Sequence, residues 1–360
     1  MLWTINDRRD ARGRPGNFLE EGPDIFPVGT LIIATEPALL IARHTSTWLV
    51  EERLVGRAPQ SLAIDPANPA RVYCGTAGSG LWRSDDAGRT WNPVGAGITY
   101  PEITAVAVHP VERSVVYAGT EPSAVFRSEN GGETWRELSG LRALPSSRSW
   151  FFPPRPQTHH VRWIEADPAV AGRVFVAIEA GAFVRTLDGG ATWLDRVPEG
   201  PIDTHTAATH TMARDRIYSA AGDGYFESDD AGESWSRRVE GLRHFYLVGV
   251  AVDPGDPDTV VVSAASGPFV AYSPRRAEAY VYRRTARRPF QPAMEGLPDG
   301  RGTVASRFAA ERGEPGVLYA ANNHGIFRTA DAGQRWKALE IPWAPGAFAD
   351  GVEALACLPE

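Results

Sequence analysis

Four of the eight histidines in this 360-residue sequence, His159, His160, His205 and His244, lead into three consecutive strand-like runs. Carboxylates accompany them, with Glu179 and Asp203 foremost, and Arg162 follows directly on the histidine pair. Imidazoles beside carboxylates are a donor set for a divalent transition metal, Zn, Fe, Mn or Cu. Such an ion polarises a carbonyl or generates hydroxide. In this reading His159 or His160, with His205 and His244, bind the metal. Glu179 or Asp203 acts as acid/base, and Arg162 anchors an anionic group of the substrate. Two other readings stay open: a metal-free polar pocket, and histidines that only hydrogen-bond backbone and loop groups. No local signature such as His-Glu-x-x-His is present. His44, His109 and His210 read as structural.

The elements that must position these residues come from an internal repeat. The phrase Ser/Thr-x-Asp-x-Gly-x-x-Trp occurs at 84–91, 186–193, 228–235 and 329–336, and again at 128–135 with Asn130 in place of the aspartate. Its physics is that of a tight turn between strands. The Asp and Ser/Thr side chains hydrogen-bond turn backbone, the Gly permits positive φ, and the Trp offers a large apolar face. Around each copy four short β-rich runs can be read, for example 103–108, 114–119, 124–128 and 134–138. Two degenerate units complete the set, one at 39–43 with Trp48 and one at 280–284 with Phe290 in the Trp position. The seven aromatic markers recur at about the 40–50 residues of a four-stranded propeller blade. Two longer intervals mark insertions at 141–158 and 267–279.

The phrase resembles the Asp-box, or bacterial neuraminidase repeat, which closes the hairpin between the third and fourth strands of a propeller blade. The resemblance implies an all-β, seven-bladed β-propeller over residues 29–360, with 1–28 as an N-terminal extension. The first unit lacks an inner strand, and 352–358 reads as an inner strand without a blade. The C-terminal strand is therefore expected to complete the first blade and leave no open edge.

In such a meander the boxes share a face with the turns between strands one and two. Both insertions and the heads of the inner strands fall on the opposite face, where function is expected. Trp150, Phe151 and Phe152 in the first insertion could form a lid or pocket wall. Glu102, Arg301, Asp350 and Glu353 join the histidines at the inner-strand heads. Glu36, Glu121, Asp223 and His324, with Glu179, are expected as an outer ring of ligand-binding groups in the turns between strands two and three.

The Asp-box family includes sialidases, xyloglucanases, sorting receptors and a photosystem II assembly factor. Sialidases are six-bladed and carry an Arg-Ile-Pro motif, which is absent here, so sialidase activity is not expected. Xyloglucanases use two propellers facing a cleft, whereas this chain supplies one. Paired carboxylates drawn from Glu102, Glu179 and Asp203 could still hydrolyse a glycoside.

Composition bounds the rest. Hydrophobic residues are 43% and charged residues 22%, and the net charge is −7, which gives no expectation of a nucleic-acid partner. Lys337 is the only lysine among 37 basic residues, so arginine clusters reflect composition and are read as solvated. Cys74 and Cys357 read as buried free thiols. No apolar run is long enough to cross a membrane. Arg8, Arg9, Arg12 and Arg14 have no apolar core behind them, so no secretory signal is read and a cytoplasmic location is expected. The expected function is a small-molecule or carbohydrate-binding propeller, monomeric or weakly oligomeric. Its axial His/carboxylate site would hold one divalent metal and support hydrolase or lyase chemistry. The alternatives are a non-catalytic protein-interaction scaffold and a glycoside hydrolase.

Overall fold

The second run of each repeat is apolar on successive residues, such as Val72–Thr76 and Val174–Ile178, and both are buried throughout. An unbroken apolar run of this length is what a strand covered on both faces requires. The computed structural model, which describes residues 29–311, 313–349 and 351–359, supplies that cover. Seven antiparallel sheets form a seven-bladed β-propeller. The expected extension 1–28 and the candidate Asp350 lie outside the described residues.

Blade 1 has the strand order Ala354–Leu358, Thr30–Ala34, Leu39–His44, Trp48–Arg53. The C-terminal strand is therefore innermost, pairing Ala34 with Ala354 and Thr30 with Leu358, as expected from sequence. Blades 2 to 7 begin at inner strands Pro59–Ile64, Glu102–Val108, Val161–Ala166, Thr204–His210, Tyr246–Asp253 and Arg307–Ala310. Blade 4 has three full strands, and its fourth is reduced to a single bridge between Arg185 and Leu194. No helix among the described residues is long and apolar enough to cross a membrane.

The repeated turn has one hydrogen-bond plan in all five copies. The Ser/Thr hydroxyl accepts from the box Gly N–H at 2.8–3.0 Å. The Asp Oδ1 accepts from the N–H preceding the Trp at 2.8–3.0 Å. Asn130 fills this role with the same oxygen, which explains why Asn can replace Asp. The box Gly and the residue before it both have positive φ, 58° and 83° at Ala87 and Gly88, a left-handed pair that favours small residues. That preceding residue donates its N–H to the turn between strands one and two, as in Gly131 to Ser114 and Ala332 to Gly316, both at 2.8 Å. The boxes thus lie on the face of those turns.

The aromatic markers join neighbouring blades. The N–H groups of Trp135, Phe290 and Trp336 donate to Ala96, Glu240 and Glu295, each just past the outer strand of the preceding blade. Phe290 therefore occupies the Trp position in the degenerate sixth unit. His109 and His210 sit buried on the box face. His109 Nδ1 accepts from Val111 and Glu112, and His210 Nδ1 accepts from Met212, all at 3.2 Å. His44 packs against Trp48. These are the structural placements expected. Cys74 and Cys357 are buried free thiols.

Candidate functional site at the axial mouth

The inner strands of blades 2 to 6 share a local irregularity. Each shifts register near its head, leaving Gln60, Thr104, Arg162, His205 and Val248 as the extra residue. A bulge of this kind re-aims a side chain that regular pleating would send elsewhere. In blades 4 and 5 the extra residue is Arg162 or His205. Two positions earlier stand Glu102, His160, Asp203 and Tyr246 in blades 3 to 6. The second strand of each blade ends at the same level and places Glu121 and Glu179 beside them.

Glu179 is the centre of the cluster. Its Oε2 lies 2.9 Å from His160 Nε2 and 3.1 Å from Arg162 Nε. Its Oε1 lies 4.0 Å from His205 Nε2. Burial opposes ionisation, but the His160 hydrogen bond and the Arg162 charge outweigh it and hold Glu179 down at about 2. Arg162 is pushed upward in turn: burial lowers it, and Glu179, Tyr272 and Glu353 more than compensate.

His205 is fully buried. Its Nδ1 lies 2.5 Å from the Leu247 carbonyl. A carbonyl only accepts, so Nδ1 carries the proton and Nε2 presents a lone pair. Burial lowers the His205 pKa despite the opposing influence of Glu179 and Asp203. The Nε2 lone pair faces the Tyr246 hydroxyl at 3.2 Å and Asp203 Oδ2 at 3.6 Å. Burial, with Tyr272 and Asp203 adding, pushes the Tyr246 hydroxyl up, so it remains a donor. The oxygens of Glu179 and Asp203 and a nitrogen of His205 all lie within 4.8 Å of one another.

Asp203 is fixed from behind. Its Oδ1 accepts from the Ala180 N–H at 2.8 Å, and its carbonyl accepts from the Gly222 N–H at 2.8 Å. A Cβ at position 222 would lie 2.1 Å from Asp203 Oδ2, so glycine is needed there for the carboxylate to reach the axis. Asp223 follows in the same turn, and burial, with the Asp203 charge, pushes it up.

The insertions wall this site. In the first, Trp150 is buried and its indole N–H donates to Ser146 Oγ at 3.0 Å. Phe152 meets the His160 ring edge-on at 4.8 Å. Arg155 lies over Phe152 and donates to Glu121 at 2.6 Å, with Glu102 at 3.6 Å. Burial and the Glu102 charge raise Glu121. The second insertion forms the short helix Pro268–Tyr272, which sets Tyr272 against His205 and Tyr246 with centroids 6.3 and 6.1 Å away.

Not all expected residues converge. His244 precedes the blade 6 strand by two residues, and Tyr246 takes the axial position in its place. His244 instead stacks on Tyr280 at 4.6 Å and bonds the Tyr282 hydroxyl at 2.7 Å. His159 is one residue out of step with His160 and packs against Trp150. His324 and Glu36 are exposed, and His324 meets only the Gly302 carbonyl at 3.1 Å through its ring. Glu179 as a proton carrier is also corrected: a carboxyl held near 2 is poorly matched to acid/base work at neutral pH. Tyr246, Tyr272 and Arg307 are the residues sequence reasoning passed over. Tyr246 could have been found by aligning the strand heads in place of the histidines.

No protein-family model and no curated protein matches this chain. Solved structures share its fold. A GH74 enzyme from Niastella koreensis aligns with TM-score 0.63 and 18% identity over 86% of this chain and 54% of its own. The GH74 xyloglucanase from Xanthomonas campestris aligns with TM-score 0.63 and 15% identity over 92% and 53%. YCF48 bound to D1 peptide aligns with TM-score 0.57 and 16% identity over 84% and 87%. The chain spans about half the length of the two GH74 enzymes. At these identities the likeness is one of fold alone, the seven-bladed β-propeller.

Proposed function

We propose that the axial mouth is a metal-dependent binding site for a polar small molecule, with His205, Asp203 and Glu179 as protein ligands. One observation carries the reading. The Leu247 carbonyl takes the Nδ1 proton of His205 and leaves the Nε2 lone pair facing two carboxylate oxygens. A ligating histidine that donates its other N–H to a backbone carbonyl is the usual outer-shell arrangement of a metal site. Donor separations of 3.6 and 4.0 Å close onto an ion with bonds of about 2.0–2.2 Å after small side-chain shifts. When bound, the ion supplies Lewis acidity or a metal hydroxide. His160 and Arg162 hold Glu179 in its anionic, ligating form, and Tyr246 donates towards the site. The Asp-box reading of the repeat and the GH74 likeness favour a carbohydrate as ligand. For glycoside hydrolysis Glu179, held anionic, could serve as base or nucleophile but not as the acid that protonates the leaving group.

Elemental analysis of the full chain, after loading with Zn, Mn, Fe or Cu, tests this. About one equivalent is expected in the wild type and in His244→Ala, with loss in His205→Ala and Asp203→Asn. No uptake by wild type, or retention in His205→Ala, sinks the assignment.

A second reading, peptide binding at the same face, is favoured by Phe151 and Phe269, which are 47% and 77% exposed on the two insertions. It predicts that Phe269→Ser weakens capture of a peptide while metal content stays unchanged.

A further inference from the structure

Arg307 opens the blade 7 inner strand, across the ring from Arg162 of blade 4. Both guanidiniums turn to the axis and meet at Tyr272. Arg307 lies 5.7 Å from the Tyr272 ring centroid, and Tyr272 also neighbours Arg162. Both side chains are largely withdrawn from solvent, 17% exposed for Arg162 and 11% for Arg307. Their donors are only partly used. Arg307 donates Nε to the Val352 carbonyl at 3.1 Å, and its Nη2 stands 3.7 Å from the half-solvated Glu353. Arg162 turns Nε towards Glu179. Among the described residues, no carbonyl or carboxylate within hydrogen-bond distance takes the terminal nitrogens of either arginine.

We propose that Arg162 and Arg307 form a two-guanidinium clamp for the carboxylate or phosphate of a small anionic ligand, seated beside the axial centre under Tyr272. The assignment rests on the metal centre proposed above for its charge balance. A divalent ion offsets Glu179 and Asp203, and the two arginines are then left facing the half-solvated Glu353, 3.7 Å from Arg307, with one positive charge unmatched. Guanidinium forks suit planar and tetrahedral oxyanions because they offer parallel N–H donors. Two like charges brought together with little solvent are stabilised by such a guest. The ligand class that follows is an acidic or phosphorylated sugar-sized molecule, in preference to a neutral glycan.

The test is calorimetric titration of the metal-loaded full chain with D-glucuronate, D-glucose 6-phosphate and D-glucose. It is run on wild type, Arg307→Gln and Arg307→Lys, with metal content measured on each. Neither variant replaces a proposed metal ligand. The clamp predicts that at least one anionic probe binds wild type more than about tenfold tighter than glucose, the size of a charge-assisted hydrogen bond. Arg307→Gln should lose that preference with metal content unchanged, and Arg307→Lys should keep part of it. Equal binding of charged and neutral probes by wild type overturns the clamp without any variant. Full preference in Arg307→Gln overturns it too. Failure of the metal reading is seen separately: a wild type that takes up no metal, yet loses anion preference in Arg307→Gln, retains the clamp and removes the ion.

Discussion

On the box face, blades 2, 3, 4, 5 and 7 present the same turn with the same bonds to within 0.2 Å. On the opposite face the inner-strand heads of blades 3 to 6 all differ. The position that is Glu102 in blade 3 becomes His160, Asp203 and Tyr246 in the next three, and the bulge residue runs Thr104, Arg162, His205, Val248. Each face repeats its own backbone device, the hydrogen-bonded turn on one and the inner-strand bulge on the other. On one face its side chains repeat as well and hold the blades in shape. On the other they diverge and assemble a single charged centre. In a repeat protein, regularity marks the frame, and the positions where equivalent residues differ mark the site.

The sharpest way to break this comparison is to remove one residue from each face. His205→Ala should lower metal affinity by more than about 100-fold, since one of three ligands is lost. Asp188→Ala on the box face should leave it unchanged. A metal titration in which both variants behave alike would erase the distinction. Gly222→Ala adds no charge and removes no ligand, but its Cβ displaces Asp203. It should weaken metal binding by about 10–100-fold, as displaced outer-shell contacts do, and unchanged affinity would show that Asp203 is not a ligand.

The axial site also leaves a pH signature on stability. The folded Glu179 pKa, about 2, lies below its unfolded value of about 4.3. Its contribution, of the order of 3 kcal/mol, is therefore complete above about pH 4.3 and lost as pH falls through about 2. Measured without metal, Glu179→Gln should be less stable than wild type at pH 7, with the gap closing across that window. A gap independent of pH would mean that packing, not charge, carries it. Asp188→Ala should lower stability by a smaller amount at pH 7, through loss of the three turn hydrogen bonds that its carboxylate accepts. The same change at Asp230 should add to it, because the two turns share no partner. The smallest effect is expected for His244→Ala, within about 1 kcal/mol and without change in metal content.

The frame was legible because its chemistry is local. Ser84, Asp86 and Gly88 act within one turn, so their spacing alone reports their contacts, and Phe290 could be aligned to the tryptophans by interval. The closing strand could be read because 352–358 repeats the apolar pattern of 103–108. The site was legible only in part. His160, Arg162, Asp203 and His205 are read from their places at strand heads and Glu179 from its turn between strands two and three, where an outer ring was expected; the structure brings the five together. His244 misled because imidazole was matched to imidazole when strand register decides which side chain reaches the axis. Tyr272 and Arg307 lie far from the histidines in sequence and enter through an insertion helix and the seventh blade, so no spacing rule links them. Glu179 was given a proton-transfer role because only the three-dimensional neighbours of a carboxyl show that it is held ionised.

The pairing of Thr30–Ala34 with Ala354–Leu358 has a temporal consequence. During synthesis the blade 1 edge emerges early and waits, unpaired, until six other blades have left the ribosome. Its apolar residues Leu31, Ile32 and Ile33 are in that interval an open sheet edge, the kind of surface that invites pairing with another nascent chain. A contact that spans nearly the whole chain also forms slowly, because the loop it closes is the longest available. Completion of the ring is therefore the last step of propeller assembly, and the yield of native protein depends on how well that first edge is shielded until the closing strand arrives.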